Sequence, residues 1–256
     1  MGLELFDLAG KVAVFIGANG GLGSAMSLGL AEAGADVIPV SRNEEKNEEL
    51  VRKIETLGRR SMLVSVDATR RDQLEKLREQ VVAEFGRVDI LVNAAGTLVK
   101  KPFLEITEVE WDRVMDVNLK AMYLACQVLG PLMVEQRSGK IINISSMGAF
   151  LGITRSSAYC ATKGGVNQLT KVLASEWGPY GVTVNAIAPG FFVTPLNEKV
   201  LTQPEVEAKL TGDTPLKRYG NPRDLVGTTI FLASAASDFV TGTVIPVDGG
   251  YLAYAF

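Results

Sequence analysis

Histidine is absent from the 256-residue chain. The commonest general acid and base is therefore missing, and any proton chemistry falls to Tyr, Lys, Cys or a carboxylate. Cysteine is scarce, with only Cys126 and Cys160. Without histidine partners these cannot complete a zinc site, and they lack the short spacing of a redox pair, so metal-dependent dehydrogenation is disfavoured. Cys160 reads either as an oxidant-accessible thiol or as a small buried side chain on a packed helix. Charge of one sign is also lacking. The formal net charge is -3 with acidic and basic residues interspersed, which leaves no basic face dense enough for nucleic acid. No apolar run approaches a membrane span, and the opening MGLELFDLAGK is too acidic for a signal peptide, with Phe6 where a myristoylation signal requires Ser or Thr. Spacers rich in Pro, Gly or Ser, low-complexity runs and solenoid repeats are missing too. These absences predict one domain over residues 1–256, in the cytoplasm, acting on a small molecule and partnered by neither nucleic acid nor membrane.

Strand-like and helix-like stretches alternate along the chain. Lys11–Ile16 is a β-rich apolar run leading into Gly17, Asn19, Gly21, Leu22 and Gly23, and then a helix over 24–33. A glycine turn framed by strand and helix places backbone N–H groups where a phosphate can approach closely, although a tight packing turn has the same look. Residues 36–41 form a second strand ending at Ser41-Arg42, before a charged helix over 44–57. A carboxylate at that position holds the ribose hydroxyls of NAD, whereas Arg42 matches the 2′-phosphate of NADP in shape and charge; the alternative is a solvated arginine. A third strand over 61–66 ends at Asp67-Ala68, with Thr69 capping a helix over 71–85. Asp67 serves either as a cap or as an acceptor for an adenine amino group.

The fourth strand, 88–92, stops at Asn93-Ala94-Ala95-Gly96, where small residues let backbone lie against a ligand. Thr107 and Glu110 then form a capping-box pattern opening a long helix through Trp111, Val114, Asn118, Met122 and Leu129. Asn118 faces water or, if buried, needs partners that make it structural or part of a proton relay. Strand five, 139–144, delivers Ser146 to the edge where the glycine loops lie. Tyr159 and Lys163 stand one helical turn apart on the next helix, whose Val166, Leu169, Val172 and Leu173 form an apolar stripe. A phenol beside an ammonium is a candidate acid, because the neighbouring charge favours the phenolate. Strand six, 182–188, ends at Pro189-Gly190. From 191 to 219 the alternation fails, with one short helical candidate at 205–211; this segment reads as a substrate lid, with Phe191, Phe192 and Leu196 as apolar walls. A helix over 223–234 and a strand over 243–247 follow. The alternation predicts an α/β fold around a mostly parallel sheet of about seven strands.

These residues together resemble the short-chain dehydrogenase/reductase family over essentially the whole chain. The family's Thr-Gly-x-x-x-Gly-x-Gly loop matches Gly17, Gly21 and Gly23, with Ile16 in place of the threonine. Its Asn-Asn-Ala-Gly motif appears with Ala94 for the second asparagine, and its tetrad falls on Asn118, Ser146, Tyr159 and Lys163, with thirteen positions from serine to tyrosine. The resemblance implies a single-domain Rossmann-type, doubly wound fold with a nicotinamide dinucleotide as cofactor, and Arg42 makes NADP(H) favoured over NAD(H). It implies that Tyr159 exchanges a proton with the substrate oxygen, that Lys163 lowers the tyrosine pKa and binds the nicotinamide ribose, that Ser146 holds the substrate oxygen, and that Asn118 anchors a water. Pro189, Gly190 and Thr194 match the segment holding the cofactor's carboxamide end, and relatives are commonly homotetramers.

Within the family the chain is most similar to sugar-acid dehydrogenases, through Ser146-Met147, basic residues after Gly96, and the ending Asp238–Gly250. Lys100, Lys101 and Arg155 are candidates to hold a substrate carboxylate, or are simply solvated. Two competing functions are a 3-oxoacyl thioester reductase and a catalytically silent NADP(H)-binding regulatory protein. The tetrad argues against the second.

Overall fold

The computed structural model describes residues 2–195 and 197–253, so Leu196 lies outside the described residues. Seven parallel strands form one sheet in the order β3-β2-β1-β4-β5-β6-β7. They are β1 Val12–Ile16, β2 Asp36–Ser41, β3 Val64–Ser65, β4 Ile90–Asn93, β5 Gly139–Ile144, β6 Val182–Pro189 and β7 Val244–Val247. The helices are α1 Gly21–Glu32, α2 Glu44–Thr56, α3 Arg71–Phe85, α4 Glu108–Met115, α5 Ala121–Gln136, α6 Ser157–Trp177, α7 Glu198–Leu201, α8 Pro204–Asp213 and α9 Val226–Ala233.

The continuous apolar run of β1 is what a strand covered on both faces requires, and all five of its residues are buried. Successive side chains alternate between two cores. Val12, Val14 and Ile16 pack with Leu74 and Leu77 of α3, Val128 and Leu129 of α5, and Val166 of α6. Ala13 and Phe15 pack on the other side with Met26 and Leu30 of α1, Leu50 and Ile54 of α2, and Leu232 of α9. Removing a buried ring such as Phe15 costs about 3–5 kcal/mol in sites of this kind. The strand order reverses direction between β1 and β4, which opens a crevice at their carboxyl ends.

Several boundaries differ from the sequence expectation. The third strand shrinks from 61–66 to Val64–Ser65. Upstream, Asp36 Oδ1 accepts the Arg60 N–H, and the Ser61 hydroxyl donates to the Val37 carbonyl, so side chains take the place of a regular ladder. Thr69 does not cap α3. The cap position is Arg70, without a side-chain bond, and both donors of Thr69 go to Asp67 Oδ1. The capping box of Thr107 and Glu110 does form. The helix it opens is interrupted at Asp116–Lys120 by a π-turn before continuing as α5. This run, Glu108–Gln136, is long and apolar enough to cross a bilayer, contrary to the reading that no run approached that length. Ala121, Met122, Leu124, Ala125, Val128 and Leu129 are buried in the first core, so the helix belongs to the packed interior. On α6, Val166 and Leu173 are buried but Val172 is exposed, which breaks the expected stripe. The irregular segment carries two helices, α7 and α8, rather than one; Pro204 starts α8, a position where its missing N–H costs nothing. The last helix opens with a 3-10 turn, Pro222–Leu225, capped by Asn221.

Candidate active site

The crevice is a cleft in two sections of about 240 and 500 Å³ that share Gly17, Asn19, Gly20, Ala94 and Gly96. Its floor is the glycine turn. Gly17 has φ +86°, and a Cβ there would lie 2.5 Å from the Ala95 nitrogen, so only glycine lets the ends of β1 and β4 meet. At Gly23 a Cβ would collide with the Gly17 carbonyl. The first turn of α1 therefore stays open: its cap residue, Gly20, makes no side-chain bond, and the turn holds no acidic residue. An uncapped, acid-free helix N-terminus facing a cleft fits a pyrophosphate. Ile16, in place of the family threonine, is buried beneath this turn.

The smaller section is lined by Ser41, Arg42, Asp67, Ala68 and Ala95. Asn19 Nδ2 donates to Ser41 Oγ and to Asn47 Oδ1, both at 2.6 Å, while Asn47 is anchored on the carbonyls of Ser41 and Val64. This network fixes the end of β2 where Arg42 leaves it. The Arg42 guanidinium is exposed and has no ion pair among the described residues. Burial raises the Asp67 pKa, but hydrogen bonds from Thr69 and the fields of Arg42 and Arg70 outweigh it and hold the carboxyl below its ordinary value. Asp67 thus stays ionised, tied to Thr69, and still faces the cleft.

The larger section brings Ser146, Tyr159 and Lys163 together with Gly21, Leu22, Gly23, Pro189, Gly190, Phe192 and Thr194. Lys163 is buried, and its ammonium donates to the Ile144 carbonyl at 2.7 Å and lies 5.6 Å from the Tyr159 ring centre. Burial pulls its pKa down to about 8. The Tyr159 pKa is raised rather than lowered: burial dominates, Ser146 works against it by hydrogen bonding, and Cys160 adds to the rise. The expectation that Lys163 depresses the phenol is therefore corrected. The ammonium is committed to a backbone carbonyl, and desolvation of the phenol prevails.

Asn118 is buried in the π-turn, with both its amide donors and one lone pair of its oxygen engaged. Its oxygen accepts the Thr97 N–H at 2.7 Å, and its nitrogen donates to the Thr97 carbonyl at 2.9 Å and to Thr162 Oγ1 at 3.3 Å. The side chain thus clamps the loop after β4 to α6, one residue from Lys163.

Other expected residues lie elsewhere. Asn93 sits below the cleft, donating to Asn143 Oδ1 and Cys126 Sγ, because the alternation along β4 turns its side chain into the sheet interior. Arg155 is exposed at φ +65° and does not line the cleft; its carbonyl accepts the Lys101 N–H. Lys101 is paired with Glu110 at 2.5 Å, and Lys100 is exposed. Phe191 lines a separate cavity of about 180 Å³ and stacks edge-on with Tyr251, leaving Phe192 as the cleft wall. Among the cleft residues that the sequence did not single out, two carry polar side chains of consequence. Lys46, on the first turn of α2 a helical turn beyond Arg42, was hidden in a charged helix face, and Asn197 sat in an irregular stretch without periodicity.

Comparison with known proteins gives this cleft a family. A family model described as enoyl-(acyl carrier protein) reductase matches residues 17–252. The 2-dehydro-3-deoxy-D-gluconate 5-dehydrogenase of Escherichia coli (strain K12) is 41% identical over 252 residues, 98% of this chain and 99% of the relative. A 3-oxoacyl-[acyl-carrier-protein] reductase of Thermotoga maritima is 39% identical, over 95% of this chain and 98% of the relative. Among solved structures, a gluconate 5-dehydrogenase from Burkholderia cenocepacia J2315 in complex with NADP and tartrate superimposes with a TM-score of 0.96, at 36% identity and with full coverage of both chains. Identity at this level, over nearly the whole chain and with Ser146, Tyr159 and Lys163 gathered in one cleft, leaves one conclusion: the protein is an NAD(P)-dependent oxidoreductase of CH–OH groups belonging to the short-chain dehydrogenase/reductase family.

Proposed function

We propose that the enzyme interconverts a secondary alcohol and a ketone on a sugar acid of the gluconate or ketogluconate class, with NADP(H) preferred. The observation that carries the substrate class is the similarity, at 41% identity and near-complete mutual coverage, to a dehydrogenase named for a ketodeoxygluconate. The hydroxyls of Ser146 and Tyr159 in the larger section of the cleft suit a hydroxylated substrate better than an acyl chain. When bound, the dinucleotide supplies or accepts the hydride. Tyr159, held protonated by burial, donates the proton to a ketone oxygen; Ser146 orients that oxygen; Lys163 carries positive charge beneath them. The uncapped N-terminus of α1 would hold the pyrophosphate, and Ser41, Arg42 and Lys46 the adenosine ribose.

Steady-state assays of sugar acids, polyols, cyclic ketones and 3-oxoacyl thioesters, each with NADP(H) and NAD(H), test the reading. Turnover of ketogluconates by NADPH is expected. Turnover of acetoacetyl thioesters alone would favour the thioester reductase, a reading that the Thermotoga relative supports.

The NADP preference rests on Arg42 and Lys46, which reach the cleft from its two sections. Replacing Arg42 by Ala is expected to weaken NADP binding about 10- to 100-fold, as loss of a charge-assisted phosphate contact does, and to leave NAD binding within about twofold. Equal losses in calorimetric titrations would refute that role.

We also propose a homotetramer in the cytoplasm. Tyr123 of α5 and Val172 of α6 are exposed beside Leu169 and Trp177, around a hollow of about 250 Å³. Such an apolar helix face is suited to cover by a second copy. Sedimentation should give about four times the chain mass of 27.4 kDa, and Val172→Glu should shift the population toward smaller species. A monomeric wild type would refute the assembly.

A further inference from the structure

One side chain ties together the loop after β6, beside its backbone hydrogen bonds. Asn197 Oδ1 accepts two hydrogen bonds from Thr194, from its N–H at 2.8 Å and from its hydroxyl at 3.2 Å. Asn197 Nδ2 donates to the Phe192 carbonyl at 2.9 Å. These partners fix which way the amide points, because the flipped amide would set its NH2 against the Thr194 N–H and its oxygen against the Phe192 carbonyl. The loop so held lies on the glycine turn: a Cβ at Gly21 would sit 3.1 Å from the Thr194 side chain and 3.3 Å from Pro195. Thr194 and Asn197 both line the larger section of the cleft.

A hydroxyl has one proton to donate and two lone pairs to accept with. Since Asn197 Oδ1 takes the proton of Thr194, the Thr194 oxygen can only accept from a ligand in the cleft. Of the two polar atoms of a carboxamide, only the NH2 can donate. We propose that Asn197 is a positioning residue that sets the polarity of the Thr194 hydroxyl, so that Thr194 accepts from the carboxamide nitrogen of the cofactor and rejects dinucleotides lacking that donor. This rests on the reading that Thr194 meets the carboxamide end.

The probe is a pair of ligands, NADP+ and its 3-acetylpyridine analogue, in which a methyl ketone replaces the carboxamide and no N–H remains. Dissociation constants are measured by calorimetry, without turnover. Wild type is expected to prefer NADP+ about five- to tenfold, the worth of one hydrogen bond. Asn197→Ala should reduce that ratio to about one, because the freed Thr194 hydroxyl can turn and donate to either carbonyl. Asn197→Asp keeps the acceptor and should retain the preference, even though loss of the bond to Phe192 loosens the loop. Thr194→Val should abolish the preference, and adding Asn197→Ala should change it no further.

An unchanged ratio in Asn197→Ala, with both ligands weakened equally, would mean that Asn197 only braces the loop, and would overturn the proposal. Loss of the preference in Asn197→Asp would do the same. If wild type and Thr194→Val both fail to discriminate, the carboxamide reading falls and takes the proposal with it. Failure of the NADP preference is a separate outcome, seen as tighter binding of NAD+, and the same ratio is then read with NAD+ and its acetylpyridine analogue.

Discussion

Tyr159→Phe is expected to lower kcat for ketone reduction by at least about 10²- to 10⁴-fold, the range supplied by a positioned acid, while the dissociation constant for NADPH changes by less than about threefold. The substitution removes one oxygen from a partly buried ring and leaves the packing around it in place. The direction of the phenol's pKa adds a second readout. Because burial holds Tyr159 above its ordinary value, the proton it gives to a ketone is present throughout the neutral range. Reduction by the wild type should therefore be flat from about pH 5 to 7, below the titration of Lys163 near 8, whereas oxidation, which needs the phenolate, should climb with pH over the same interval. In Tyr159→Phe both rates should be low and the climb absent. Stopped-flow measurement of the hydride step in each direction checks this, and a variant retaining more than about a tenth of wild-type turnover would remove Tyr159 from the acid role.

What could be read in advance follows from how locally each feature is specified. β5 matches residue for residue, because the β-branched Ile141, Ile142 and Ile144 lie between Ser138 and Ser145, and the capping box of Thr107 and Glu110 is a contact between residues three apart. The edge strand β3 matched only at Val64–Ser65, since before Val64 contacts of Asp36 and Ser61, whose side chains carry no ladder signal, stand where a regular ladder with β2 was expected. Within the cleft, Gly17, Gly21, Ser146, Tyr159 and Lys163 were legible because the chemistry requires those residue types at fixed spacings. Lys46 was not, since a lysine four positions past an arginine on a charged helix looks the same whether or not it faces a cleft. Asn93 misled for a related reason. It belongs to the motif, but the two-residue alternation of β4 sends its side chain under the sheet, to Asn143. Asn118 was read as a relay anchor, and its amide turns out to be spent on Thr97 and Thr162. One lone pair of its oxygen is all that remains for a water.

Lys163 carries the other large effect, and it has opposite signs for activity and stability. Its ammonium is buried and desolvated, with one backbone carbonyl as partner, so the folded protein binds that proton less tightly than the unfolded chain: about 8 against 10.5. Below about pH 8 the lysine is charged in both states and the full cost of burying the charge is present. Between about 8 and 10.5 the unfolded chain holds a proton that the folded protein has released, so wild-type stability gains with rising pH from this group; above 10.5 the cost is gone. At about 1.4 kcal/mol per unit, that cost is on the order of 3 kcal/mol. Lys163→Met removes the charge while keeping much of the volume. The difference in unfolding free energy between variant and wild type, measured in denaturant, should accordingly be most favourable to the variant at pH 7 and fall steadily as pH approaches 10. The unpaired Ile144 carbonyl subtracts about 1–3 kcal/mol from the variant at every pH, so it moves the offset and leaves the slope intact. Turnover should meanwhile fall by orders of magnitude at pH 7, as the cleft loses its positive charge beneath Tyr159. A free-energy difference that stays constant from pH 7 to 10 would mean that Lys163 is fully hydrated in the folded protein, and the electrostatic reading of the cleft would fail with it.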